Sequence, residues 1–326
     1  MMGIRIMTRK MDGSTGQKVL QRKLITVMLV ACFAVFVMVP AAHAAFFDTA
    51  GKSARAMGMG EVFLASSTDA TSYWYNPASL ASFTSSQVGI GYGKPSAFIS
   101  DLMASQLNIV MPMGEGSGLG LGFSYGGIDV ASDMVVSGAY GLSVGDNLAI
   151  GGNVKVLYWA VEGQENVYGA GTDEDLSKVS FSLDLSAVYS LGATMGLDNL
   201  STGLYVKDAI MPNISESGDD GGALPIEMGI GFMAEQNDIV VGGDVGYVDG
   251  NTIFRVGAES PVSASALKIR GGFIFESDFA DELEKADVDL GIGYSFGALL
   301  FDYAYNVPFA MKETGGRHYV SFGFSF

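Results

Sequence analysis

Two histidines, one cysteine and a scatter of carboxylates are the groups in this 326-residue chain suited to covalent or proton-transfer chemistry. A nucleophilic site needs a base within hydrogen-bond reach of its serine or thiol. His43 and Cys32 fall in an N-terminal stretch that reads as removable, which leaves His318. It lies in step with Val320, Phe322 and Phe324 on an alternating segment, so it faces the apolar side rather than a pocket. Asp287 and Asp289 share a strand face and could act as acid and base. They could equally be neutralised by Arg255, Lys268 and Arg270 in an ion network. Asp173-Glu174-Asp175 and Asp219-Asp220 offer oxygen ligands to a divalent cation, or are solvated loops. Gly114-Glu115-Gly116-Ser117-Gly118 lacks the following Lys-Ser/Thr of a phosphate cradle. No Cys/His spacing fits zinc. The expectation is a protein that is not an enzyme, with no cofactor and no metal.

The elements that carry these residues are short alternating segments from Gln87 onward. Val88, Ile90 and Tyr92 alternate with Gly89, Gly91 and Gly93; Leu119, Leu121, Phe123 and Tyr125 alternate with Gly118, Gly120, Gly122 and Ser124. Val288, Leu290, Ile292, Tyr294 and Phe296 oppose Asp287, Asp289, Gly291, Gly293 and Ser295. A period of two is that of a strand with two unlike faces. Turn signals such as Asn237-Asp238 and Asp249-Gly250 separate the segments. Asp184, Asp244, Arg255, Glu259, Lys268, Arg270, Asp287, Asp289 and Asp302 fall mainly on the small or polar face. A charge facing lipid at mid-membrane costs about 2–4 kcal/mol, so the charged face must be a lumen. The segments number about fourteen, an even count as closed bacterial barrels require. The fold class predicted is all-β: a transmembrane antiparallel β-barrel over 85–326. Its closing strand carries Phe322, Phe324 and Phe326, an outward aromatic row fit to be read by the outer-membrane assembly machinery.

The N-terminus supports that location. Basic residues through Lys23 precede an apolar run from Leu24 to Val39, then Ala42-His43-Ala44 as a small-x-small site. This order is a secretory signal peptide over 1–44. A lipobox reading of Leu29-Val30-Ala31-Cys32 is disfavoured because Phe33 to Val39 continues the apolar core. Before Ala45 lie six of 18 basic and one of 35 acidic residues, leaving 12 basic and 34 acidic, a net charge of −22. That excludes nucleic acid as a partner, since phosphate binding needs clustered Lys and Arg. Mean hydropathy is +0.30, although no mature stretch is apolar enough for a helical span. Closed barrels are then the membrane solution.

Residues 45–84 do not alternate. Asp69 is placed to N-cap a short helix carrying Tyr73, Trp74 and Tyr75, and Pro77 to end it. Asn76 can hold its own turn by a side-chain hydrogen bond or form part of a gate. Small residues around Gly58 and Gly60 suit close backbone packing, and the glycine-rich lumen leaves room for a plug. Gly51-x-x-Ala54-Arg55-Ala56-Met57-Gly58-Met59-Gly60, then Tyr73-Trp74-Tyr75-Asn76-Pro77-Ala78-Ser79-Leu80-Ala81, resembles the start of the PorV/PorQ and UPF0164 proteins, within the FadL-like group of outer-membrane barrels. Ser79 departs from that pattern, where glycine is usual. The resemblance implies a barrel with an N-terminal segment in or against its lumen. It also implies one of two roles: a passive channel for small apolar or amphipathic molecules, or a component of type IX secretion that binds secreted protein cargo. Outer-membrane lipid is a partner in either case.

Overall fold

In the computed structural model, residues 47, 50–62, 69–96, 99, 101–162, 175–214, 222–262, 266–278, 285–309 and 315–326 are described. The leader 1–44 and the acidic residues Asp173, Glu174, Asp219 and Asp220 lie outside them. Fourteen strands follow one another: β1 (Gln87–Lys94), β2 (Met103–Pro112), β3 (Ser117–Ile128), β4 (Ala131–Ser143), β5 (Leu148–Val161), β6 (Leu176–Ser190) and β7 (Asn199–Lys207). The second half continues with β8 (Glu227–Gln236), β9 (Ile239–Val248), β10 (Asn251–Pro261), β11 (Leu267–Asp278), β12 (Lys285–Phe296), β13 (Leu299–Pro308) and β14 (Arg317–Ser325). Each pairs antiparallel with its sequence neighbours, and β1 pairs with β14 from Gln87↔Ser325 to Lys94↔His318, closing the barrel. Closure leaves no open sheet edge.

The alternation read from sequence is the alternation observed. Outward positions stay exposed although they are large and apolar, among them Ile90, Leu121, Phe123, Phe181, Leu290 and Ile292. Inward positions are buried although they are polar, including Asn108, Asn153, Asp184, Glu259, Asp289 and Asn306. A water-soluble barrel would reverse this pattern. Phe322 and Phe324 are exposed on the outer face of β14, and Phe326, just beyond it, stacks on Phe324. His318 also points outward, its Nδ1 2.9 Å from the Tyr303 hydroxyl and its ring against Tyr305.

Two-residue hairpins occur at both rims: 237–238 and 297–298 at the rim shared with Phe326, and 129–130 and 249–250 at the other. Asn237, Asp238, Asp249 and Gly250 all have positive φ, the geometry of two-residue hairpins whose twist matches the strands. The rim opposite Phe326 carries the longer segments 162–175 and 208–226. Among the described residues, two short helices precede the barrel, α1 (Ala54–Gly58) and α2 (Ser72–Tyr75), followed by a 3-10 helix at Pro77–Ser82. All three are buried inside the ring of strands.

Candidate functional site: a filled lumen

Ser53 caps α1, its hydroxyl accepting from Ala56 N at 3.1 Å. The turn after α1 lies on a wall that has lost its side chains. A Cβ on Gly257 would stand 2.0 Å from the Met59 carbonyl oxygen, and one on Gly272 would stand 2.1 Å from Gly60 N. Only glycine permits backbone to lie on backbone this closely. The 3-10 helix sits the same way on β3–β5, where a Cβ on Gly151 would meet Ala78 N at 2.3 Å.

Asp69 does not cap α2 as the sequence predicts. The helix starts two residues later than that, with Thr71 as N-cap. The Asp69 carboxylate instead takes Thr71 N at 2.8 Å and the Thr71 hydroxyl, while its carbonyl takes Ser72 N at 3.1 Å. Pro77 does more than end α2: its fixed φ and missing N–H suit the first position of the 3-10 helix. Asn76 joins the two helices, and its Oδ1 accepts from Ala78 N at 3.1 Å, the local bond foreseen from sequence.

Tyr73 and Trp74 stack with centroids 5.6 Å apart and face the β2–β4 wall. Both donate to Asn108 Oδ1, Tyr73 Oη at 3.0 Å and Trp74 Nε1 at 2.6 Å. Asn108 Nδ2 then donates to Gln106 Oε1, and Gln106 Nε2 to the Lys52 carbonyl at 2.7 Å. Around this chain Leu80, Val110, Val135, Ala139 and Leu157 form the main apolar cluster. Ile214 and Leu224, from the long 208–226 connection, join it. Burial pushes the Tyr73 and Tyr75 phenols well up, keeping both neutral.

The opposite wall is ionic. Arg55, on α1, forks onto Glu259 of β10, Nε at 2.9 Å and Nη2 at 3.0 Å. The same carboxylate receives Arg270 Nε at 2.6 Å and Lys268 Nζ at 2.8 Å. Arg270 continues to Asp302 at 2.6 Å. Glu61 pairs with Lys52 at 2.6 Å and lies 3.9 Å from Arg255, which also meets Asp244 at 3.1 Å and Glu227 at 3.4 Å. Burial opposes the Glu61 charge, but Lys52 and Arg255 outweigh it and hold the carboxyl below its usual range. Burial likewise opposes the Arg55 charge, and Glu259, with Asp69 and Asp302, outweighs it.

Asp287 and Asp289 do not pair with Lys268, Arg270 or Arg255. The strand register sets Glu259 directly opposite Arg270 and Asp244 opposite Arg255, so those cations are already taken. Asp287 meets Arg317 at 3.3 Å and Asn306 at 3.2 Å; Asp289 meets Asn306 alone among the described residues. Asp184 lies in a separate cluster with Lys155 and Asp208. Sequence reasoning quoted Arg55 and Glu259 but did not join them, and it missed Asn108 and Asn306. A polar amide on a lumen-facing position is the signal that marks both asparagines. Among the described residues no cluster of His, Cys, Asp or Glu is arranged to hold a metal. A cavity of about 290 Å³, lined by Met103, Tyr125 and Ser132, opens on the outer face near the long-loop rim, not in the lumen.

No protein-family model matches the chain, and no curated protein matches it by sequence. Its structure is similar to the toluene transporter TbuX of Ralstonia pickettii, with TM-score 0.66 and 12% identity over 86% of this chain and 100% of that one. It is similar to the monoaromatic hydrocarbon channel CymD, with TM-score 0.64 and 14% identity over 86% and 99%. A FadL homologue of Pseudomonas aeruginosa aligns with TM-score 0.60 and 13% identity over 89% and 99%. At such identities the likeness is one of fold: the chain is a closed fourteen-strand antiparallel barrel, similar in fold to these channels. The PorV/PorQ and UPF0164 resemblance rests on the sequence motif.

Proposed function

We propose that the protein is a passive channel in the outer membrane of a diderm bacterium, passing small hydrophobic or amphipathic molecules, with residues 45–84 as its plug. The observation that carries this reading is a lipid-compatible barrel whose N-terminal segment fills the lumen on glycine seats. The names of the similar structures, monoaromatic hydrocarbon channel and toluene transporter, point the same way. In this reading Tyr73, Trp74, Tyr75, Asn76 and Pro77 form the gate, Asp69 shapes the turn into it, and the lumenal charges hold α1. The N-terminal segment meets one lumen wall through neutral and aromatic contacts and the other through charge, a division suited to an amphipathic molecule. The row Phe322, Phe324 and Phe326 would serve the assembly machinery.

Toluene uptake into liposomes carrying the purified barrel tests this. The full chain should admit toluene above the lipid background, and a variant lacking 45–84 should admit it faster and with less selectivity. No uptake by either, with recovery of a secreted protein's domain bound to the barrel, would replace the channel with cargo binding in type IX secretion.

A further inference from the structure

Among the described residues the lumen holds two asparagine–aspartate pairs on adjacent strands; in each the amide oxygen lacks a hydrogen-bond partner, and they differ at the carboxylate. Asn153 Nδ2 donates to Asp184 Oδ2 at 3.2 Å, while Asp184 Oδ1 receives Lys155 Nζ at 2.8 Å and Asp208 N at 3.0 Å. That carboxylate is supplied with donors and with a cation. Asn306 Nδ2 donates to Asp289 Oδ1 at 2.8 Å, and both side chains are fully buried. Here the remaining oxygens, Asp289 Oδ2 and Asn306 Oδ1, have no hydrogen-bond partner among the described residues. Rotating the Asn306 amide does not help, because Nδ2 also serves Asp287 Oδ2 at 3.2 Å. A flip would turn the amide oxygen toward two carboxylates. The bonded pair thus keeps two buried acceptors and no hydrogen for either, and a proton on the carboxyl would give one oxygen a hydrogen to donate to the other.

We propose that Asp289 binds a proton and donates it from Oδ2 to Asn306 Oδ1, closing a carboxylic acid–carboxamide pair in the lumen wall beside the plug. The groups around it fit a neutral side chain. Asp287 lies two residues away on β12, with its charge met by Arg317 of β14. On β11 the residue opposite Asp289 is Gly272, which bears no side chain. Tyr319 of β14 is buried in the same region, and the plug contributes Lys52 and Glu61, which are paired with each other. Gly272 is the seat of Gly60, and Gly291, next along the inner face of β12, touches Gly58. Loss of the proton would therefore set a second buried carboxylate within reach of Glu61, directly beside the plug's backbone seat. The lumen then contains a proton-binding site that secures the plug at neutral pH and loosens it as pH rises.

Infrared spectroscopy of the full-length barrel in lipid, with ¹³C-labelled aspartate, reads the proton directly. The wild type should show a carboxylic acid carbonyl band at neutral pH that vanishes on alkalisation. The band should be absent from Asp289→Asn, where two amides can form the same ring, and shifted in Asn306→Ala. Identical neutral-pH spectra for wild type and Asp289→Asn would overturn the proposal. So would a carboxylate band that moves on adding sodium or calcium at fixed pH, which would mean that a cation fills the gap. If Asp289→Asn fails to fold, the wild-type titration and Asn306→Ala still decide. Conductance that rises with pH in wild type and stays flat in Asp289→Asn tests the coupling, which rests on the channel reading. An intact band with no conductance at any pH would overturn that reading and leave the proton site standing.

Discussion

Along β2–β6 the N-terminal segment is held by neutral contacts: Tyr73 and Trp74 on Asn108, Leu80 among Val110, Val135 and Leu157, and the 3-10 helix on bare glycine. Along β9–β13 it is held by charge, with Arg55 on Glu259 and Glu61 between Lys52 and Arg255. The difference concerns how each wall fails. Neutral packing weakens in proportion to what is removed and is indifferent to salt and pH. A buried ion network is nearly neutral in net free energy while complete, but it becomes costly once one member is lost, because the others stay buried and charged. The first wall fixes where the plug sits. The second makes that position conditional.

The sharpest break of this comparison is Glu259→Leu. It removes the carboxylate that Arg55, Arg270 and Lys268 share, leaving Arg270 with Asp302, and should cost about 3–5 kcal/mol. Denaturant titration should show the loss, and residues 45–84 should become sensitive to added protease. A cost under about 1 kcal/mol, as for a surface pair, would erase the distinction between the walls. Next comes Gly122→Val on the neutral wall, where even a Cβ would stand 2.0 Å from the Tyr73 hydroxyl. Overpacking of this kind costs about 1–3 kcal/mol, and Tyr73→Phe in the same chain should recover part of it. Asn108→Leu removes the acceptor of two buried donors; its loss of about 1–3 kcal/mol should be equal in low and high salt, and Trp74 fluorescence should shift. The smallest effect is acid sensitivity through Glu61. Its carboxyl is held below the ordinary 4.5. Its contribution is therefore complete above that value and disappears as pH falls through the lower folded value. Glu61→Gln should flatten that acid limb of a stability-against-pH curve, while Asn108→Leu should leave it unchanged.

Fold and face were legible in the sequence because a period of two is a local property: each residue of Val288–Phe296 declares its side without reference to a distant partner. The hairpin turns were legible for the same reason. Partnership was not. Whether Arg270 meets Glu259 or Asp289 depends on strand register, and the register opposes Glu259 to Arg270 and Gly272 to Asp289. A slip of two residues would set Arg270 opposite Asp289, and composition does not report it. The segment inside the strands was legible as an interruption of the alternation around Gly58, Gly60 and Asn76. Its seats on Gly257 and Gly272 needed the third dimension, because a lumen glycine reads the same whether it accommodates a backbone or a space. The N-cap was misplaced by two residues, since an Asp followed by Ala-Thr-Ser offers more than one capping position and the observed cap is Thr71.

The 3-10 helix ends at Ser82 and β1 begins at Gln87, so four residues tether the plug to the barrel wall. A binder on so short a leash acts at an effective concentration of order millimolar at its own site. Any molecule that displaces the plug competes with a ligand that never diffuses away. An opened lumen would then reseal by intramolecular recapture, at a rate set by the tether and independent of how many copies of the protein the membrane holds.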